Sequence, residues 1–257
     1  MVRVIHQAAA RGYQASAETY ERARPGYSEA AVAYLVEGLN LSPGDTVVDL
    51  GAGTGKLTRS LLEHGALAVA VEPVEAMRRT FASVLPGVPV VGATAEALPL
   101  RRGSVPAVAV GQAFHWFDAS TALAAIHRAL RPGGRLGLVW NVRDESVAWV
   151  VALTRLIDSH VGTGPTFRSG AWQRAFDGTS LFGPLHGATF PHEQRVDVDG
   201  VLARVASISY IAALPEAGRQ KVSDQVRVLL ADHPDTAGRG EFVIRHHTEV
   251  FWCERRG

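Results

Sequence analysis

The stretch Val47-Val48-Asp49-Leu50-Gly51-Ala52-Gly53-Thr54-Gly55 holds the residues whose spacing most clearly serves chemistry. Residues of strand character run into three glycines at alternate positions, and the apolar spacing then turns helical at Leu57, Leu61 and Leu62. This reads as a strand, a tight turn and a helix start. Glycine tolerates positive φ and carries no Cβ, so the backbone here can lie against a ligand. The helix start adds unpaired N–H groups. Spacing then sorts the candidate ligands. A phosphate loop of the G-x-x-x-x-G-K-[ST] kind needs glycine at 50 and a hydroxyl at 57, where Leu50 and Leu57 stand, despite the Gly55-Lys56 pair. A dinucleotide turn needs a small residue at 56, and Lys56 is not small. The pattern that remains is D-x-G-x-G-x-G.

The elements that must position this turn alternate along the chain. Strands are expected at 46–50, 68–72, 89–92, 105–111 and 135–141, and helices at 28–39, 56–64, 75–85 and 119–131. The run Ala68-Val69-Ala70-Val71 is apolar throughout, as in a parallel strand covered on both faces by helices. Such alternation implies an α/β fold with a Rossmann-like, doubly wound, mostly parallel sheet. Glu18 to Tyr27 is polar, aromatic and interrupted by Pro25-Gly26, and reads as a surface segment. Past residue 142 the rhythm loosens. Helices are expected at 147–160, 200–211 and 216–231, a loop at Gly162-Thr163-Gly164-Pro165, a short segment around Trp172 and Phe176, and a strand at 241–252.

Asp49 through Gly55 resembles motif I of the class I S-adenosylmethionine-dependent methyltransferases, and the likeness continues along the chain. Glu72 ends the second strand where that family has an acidic residue. Gly92-Ala93-Thr94-Ala95-Glu96-Ala97-Leu98-Pro99-Leu100 is similar to its next segment. Gln112-Ala113-Phe114-His115-Trp116-Phe117-Asp118 is similar to the motif beside the sulfonium, and Leu130-Arg131-Pro132-Gly133-Gly134-Arg135-Leu136 to a further signature. These segments cover roughly residues 45–141 in the family's order. Tyr20-x-x-x-Arg24-Pro25-x-Tyr27 and Ser207-Ile208-Ser209-Tyr210 resemble, more loosely, the small-molecule branch called type 11.

The resemblance implies a cofactor, S-adenosylmethionine, which leaves as S-adenosylhomocysteine after methyl transfer to a small-molecule acceptor. By the same resemblance Asp49, Gly51, Ala52, Gly53, Thr54 and Gly55 approach the methionine part. Glu72, with Pro73 beside it, holds the ribose, because a carboxylate can accept from both vicinal hydroxyls. Ala95 and Glu96 border the adenine, and Gln112 and Ala113 lie near the sulfur. One domain is expected over 1–257, with an N-terminal lid or helix to residue 40, a cofactor-binding core at 41–145, a helical insertion and substrate-side lobe at 146–240, and a closing strand at 241–257. Two other uses fit the same motifs: a bound sulfonium that assists cyclisation or elimination, and a cofactor-binding module without catalysis.

On the acceptor side the residues leave alternatives open. A sulfonium methyl is already electrophilic, so alignment and exclusion of water are the main tasks. A base is needed only for an acceptor that is protonated at working pH. His115, just past a strand's C-terminal end, is the candidate base, set against the plainer reading that it caps the strand and shapes a pocket wall. Trp116 and Phe114 line a substrate pocket or belong to the core. Tyr20 and Arg24 resemble the family's N-terminal lid residues, with Arg24 able to pair with a substrate carboxylate, or form a solvated helix face. Tyr210 belongs with the substrate side on the looser resemblance.

Composition narrows the classes. The 257 residues carry 26 Lys and Arg against 25 Asp and Glu, a net charge of +1, which gives no basic field for nucleic acid. The single cysteine, Cys253, permits no intramolecular disulfide and no multi-cysteine zinc site, and it fits a reducing, cytoplasmic setting. His246 and His247 are adjacent on an expected strand and so point to opposite faces, which argues against a shared metal. No apolar run of about 18 residues suggests a membrane span, and no apolar signal core follows the N-terminus. The partners expected are a small molecule and at most a second copy of the chain, as monomer or homodimer.

Overall fold

A computed structural model of the chain describes residues 7–161 and 165–257, so Gly162, Thr163 and Gly164 of the loop expected at 162–165 lie outside the described residues. Seven strands form one sheet in the order β3-β2-β1-β4-β5-β7-β6. They are β1 (Thr46–Leu50), β2 (Leu67–Val71), β3 (Val90–Val91), β4 (Val105–Gly111), β5 (Leu130–Arg143), β6 (His186–Asp197) and β7 (Glu241–Glu254). The first five run parallel; β7 is antiparallel to both β5 and β6. The chain winds outward from β1 to β3, then returns to place β4 on the other side of β1. That reversal leaves a crevice at the carboxyl ends of β1 and β4, where open α/β sheets bind their ligands.

The helices are α1 (Gln7–Ala23), α2 (Glu29–Gly38), α3 (Lys56–Glu63), α4 (Glu75–Val84), α5 (Ala119–Ala129), α6 (Ala148–Asp158), α7 (Ala171–Asp177), α8 (Val198–Ala206), α9 (Ser209–Ala212) and α10 (Glu216–Asp232). Successive strand residues serve opposite faces. Val47, Ala107 and Val139 pack with Ala31, Leu35 and Leu61 of α2 and α3. Their neighbours Val48, Val108 and Leu138 pack with Leu123 and Ile126 of α5 and Trp172 of α7. Fully burying one such side chain contributes about 1.5–3 kcal/mol, so the sheet's long apolar runs anchor both outer layers. A further core joins α6, α8 and α10 to β7 through Trp149, Leu153, Val201, Val226 and Ile244. No helix of the described residues is long and apolar enough to cross a membrane.

Three elements differ from the sequence expectations. The stretch read as surface, from Glu18, is the end of α1, which packs against α4, α8 and α9. A Cβ at Gly12 would stand 2.0 Å from the Ser209 carbonyl oxygen, so glycine is what permits this approach. Within the region expected to be a helical insertion, residues 186–197 form an edge strand whose side chains alternate between exposed and half-buried. Its polar character and Pro191 hide it from an apolar-alternation test, and an edge is where a strand tolerates proline. The helix expected at 200–211 is broken at Ser207-Ile208 into α8 and α9.

Candidate active site

The glycine turn closes the crevice from below. Gly51 and Ala52 donate their N–H groups to the Val71 carbonyl at 2.8 and 3.2 Å, tying the end of β1 to β2. Gly51, Gly53 and Gly55 take φ values of +73°, +58° and +92°. A Cβ at Gly55 would stand 2.6 Å from Leu85 and 2.9 Å from Phe81, whereas Gly53 faces open space. Glu72, buried just past β2, accepts from the Gly53 N–H at 2.9 Å and from the Val74 N–H at 2.7 Å. Burial raises its carboxyl above the usual carboxylate range, against the pull of those two hydrogen bonds. Glu72 also lines a cavity, and with one hydrogen bond per oxygen its carboxylate keeps spare acceptor capacity.

Gly51, Gly53, Glu72, Pro73, Ala95, Glu96, Gln112 and Ala113 line one narrow cavity of about 90 Å³. Glu96 is anchored there by the Asp118 N–H, which donates to its Oε1 at 2.9 Å. The other residues expected to hold the cofactor stand outside that lining. Asp49 is fully buried and accepts from the Thr58 hydroxyl at 2.5 Å, while its Oδ1 has no partner. Burial pushes its carboxyl up to about 7, and the Glu72 charge adds to the rise. Ala52 packs with Ala70 and Phe81. The Thr54 hydroxyl donates to Glu21 at 2.6 Å, and Gly55 caps α3. These four shape the turn from behind.

A second cavity of about 450 Å³ adjoins the first, and four residues, Tyr13, Tyr20, Gln112 and Trp116, line both. Tyr13 meets Tyr20 edge to face at 5.8 Å and Trp116 at 6.5 Å between ring centroids. Gln112 holds a φ of +57°, uncommon for a side chain with a Cβ, and strain of this kind clusters at functional sites. The larger cavity also takes in His115, Arg24, Tyr210 and the end of β5 from Trp140 to Arg143, together with Arg204 of α8. Phe114 is fully buried in the core, which settles its alternative, while Trp116 is at the cavities. Arg24 is no free surface charge: its Nε donates to Ser207 Oγ at 2.8 Å and its guanidinium lies 5.3 Å from the Tyr20 ring centroid.

His115 is held in a particular tautomer. The Trp140 indole N–H lies 3.4 Å from His115 Nδ1 and can only donate, so Nδ1 accepts and the ring proton sits on Nε2. Burial lowers the imidazole to about 4, keeping it neutral near pH 7. Such a ring offers an N–H to a ligand and has no free lone pair for a proton. Tyr20 and Tyr210 are pushed up to about 12 by burial, so both keep their hydroxyl protons at neutral pH. On β7, His246 is buried and His247 exposed; among the described residues no three metal-binding side chains converge.

Sequence reasoning missed Tyr13, Trp140, Arg143 and Arg204. Arg204 alone had a readable signal, since it interrupts the apolar face Val201, Val205, Ile208 of α8 and its continuation.

A reversing, mostly parallel sheet with a glycine turn after β1 and an acidic residue after β2 is a Rossmann-like arrangement for a nucleoside-bearing ligand. Residues 48–138 match a family model described as a methyltransferase domain, of the type 11 group. An uncharacterised methyltransferase of Mycobacterium tuberculosis is 39% identical over 237 residues, covering 89% of each chain. A methyltransferase-like protein of Schizosaccharomyces pombe is 31% identical over 237 residues, covering 92% of each. Among solved structures, a candidate type II methyltransferase from Anaeromyxobacter dehalogenans is similar at 25% identity and TM-score 0.66, over 91% of this chain and 97% of that one. The chain belongs to the class I S-adenosylmethionine-dependent methyltransferases of the type 11 kind. It is a methyltransferase enzyme, and S-adenosylmethionine is the cofactor its family implies.

Proposed function

We propose that S-adenosylmethionine occupies the cavity under the glycine turn and that a small-molecule acceptor occupies the larger one beside it. The observation that carries this reading is the wall the two cavities share, made of Tyr13, Tyr20, Gln112 and Trp116. When bound, the cofactor supplies an electrophilic sulfonium methyl. Open space before Gly53 and the spare acceptor capacity of Glu72 suit its methionine and ribose parts. Glu96 and Ala95 stand at the adenine end. The aromatic faces at the shared wall suit a cation, since ring quadrupoles attract positive charge. They also exclude water from the line of transfer.

The chain's own residues then align and desolvate the acceptor, and none is required to take a proton. Neutral His115, with Nδ1 engaged by Trp140, presents Nε2–H and so orients an acceptor lone pair. An acceptor atom already unprotonated at working pH fits this arrangement best. We place the reaction in the cytoplasm, which the unpaired, buried Cys253 supports, and in one unit spanning 1–257, supported by β1 and β7 sharing a sheet. Mass spectrometry of products formed from candidate acceptors and methyl-labelled cofactor tests the reading. A labelled methyl on the acceptor supports it; acceptor converted without mass gain points instead to cyclisation or elimination.

A further inference from the structure

Charge in the larger cavity is unbalanced in one direction. Arg24, Arg143, Arg168 and Arg204 line it, and Asp158 is the carboxylate among them. Asp158 lies 3.8 and 3.9 Å from Arg143 and Arg168, at the half-exposed rim, and Arg168 is further paired with Glu145. Among the described residues no ion pair joins Arg24 or Arg204 to a carboxylate, and Arg143 has only the long contact to Asp158. Arg24 is satisfied through Ser207 Oγ and Arg143 through Thr154 Oγ1, both neutral groups, at 2.8 Å each.

Arg204 is the extreme case. Its side chain is 6% exposed, and its Nη2 contacts His246 Nε2 at 2.7 Å. Arginine has no acceptor, so that histidine nitrogen must be unprotonated and brings no negative charge. The Nη1 group is buried with no partner at all. A buried charge persists cheaply only when paired, and here the nearest charges, Arg24 and Arg143, have the same sign. The rest of the cavity supplies apolar and aromatic wall in Trp140, Phe167 and Ile208.

We propose that this cavity selects an acceptor bearing an oxyanion, a carboxylate or a phosphate ester, which Arg204 receives with Arg143 and Arg24 while an apolar body lies on the aromatic wall. The proposal rests on the larger cavity being the acceptor site. Planar guanidinium groups match either oxyanion in a two-point contact, so the ligand's source must be resolved by experiment. A volume of about 450 Å³ lies within the range of small-molecule sites.

Calorimetric titration of the S-adenosylhomocysteine-loaded protein with benzoate and with phenyl phosphate, each against neutral benzamide, tests it. Either anion is expected to bind at least tenfold tighter than benzamide; the tighter one names the source. Equal binding of all three, or none by the anions, overturns the proposal and needs no variant. Arg204→Gln is expected to remove most of the anion preference while leaving S-adenosylhomocysteine affinity within about twofold, and a retained preference contradicts the role of Arg204. Should that variant not fold, Arg204→Lys keeps the charge but not the fork, and an unchanged anion preference in it would contradict two-point recognition. Titrating cofactor-free protein with S-adenosylhomocysteine and with the same anions separates the readings, because anion selectivity without S-adenosylhomocysteine binding would overturn the cofactor placement and spare the anion site.

Discussion

Glu72 and His115 carry the clearest residue-scale expectations. Glu72 joins the turn after β1 to the turn after β2, and its carboxylate also faces the cofactor cavity. Glu72→Ala should weaken S-adenosylhomocysteine binding by about 1–3 kcal/mol, the cost of leaving buried polar partners unsatisfied, as read by calorimetry. For His115 the proposed role is that of a donor and not a base. His115→Gln, which keeps an N–H donor, should retain kcat within about tenfold, and wild-type kcat/KM should show no ionisation of this ring between pH 6 and 8, because its value lies near 4. Loss of a general base would cost roughly 10²–10⁴-fold instead. Chemistry at this scale was legible where the backbone and a single side chain make the motif. Asp49, Glu72 and the glycines are such a motif. His115's tautomer depends on Trp140, 25 residues away and across the sheet, and nothing in local sequence encodes that contact.

Among the elements, α1 supplies two of the four residues that line both cavities and was least visible in the sequence. Its polar and aromatic residues alternate without a wide apolar stripe, because one side faces solvent while Tyr13 and Tyr20 wall the two cavities. The helix is fastened at Glu21, which accepts from Thr54 and pairs with Arg59 at 3.0 Å and with Lys56 at 3.4 Å. Burial would raise the Glu21 carboxyl, but the hydrogen bonds from Thr54 and Arg59 and the Lys56 charge together hold it below its usual value. The sign follows: this fastening is present at neutral pH and is lost as the pH falls and the carboxylate takes a proton. Glu21→Ala should therefore raise the S-adenosylhomocysteine dissociation rate several-fold in stopped-flow measurements, with the difference from wild type shrinking under acid conditions. An unchanged rate would show that the packing of α1 on α4, α8 and α9 holds it without the Glu21 carboxylate. The central strands were legible because parallel strands covered on both faces are continuously apolar. Strand β6 was not, since its solvent-facing edge requires no such run.

At the scale of the whole molecule, the fold accepts a cost at its centre. Asp49 lies at 0% exposure with Oδ1 unpartnered and a carboxyl raised to about 7 from an ordinary 3.8. Between those two values the folded chain holds a proton that the unfolded chain has released, so stability from this group falls as pH rises through that window. Asp49→Asn removes the titration. Relative to wild type, the variant's Tm should rise between pH 5 and pH 8 by scanning calorimetry, and a constant difference would contradict the buried, unpaired carboxyl. Sheet order and the crevice at its reversal follow from the βα alternation, which is why the location of the crevice was readable from sequence. The acceptor end draws on α1, β5, α6, α8 and α9, elements far apart in the chain, and so could not be assembled from any one stretch. What joins the two ends is the wall of Tyr13, Tyr20, Gln112 and Trp116, and the most direct measurement is calorimetric titration of the folded protein with S-adenosylhomocysteine. Saturable one-to-one binding, weakened by Glu72→Ala, is the expected result; no detectable heat from well-folded protein at millimolar ligand would contradict the assignment.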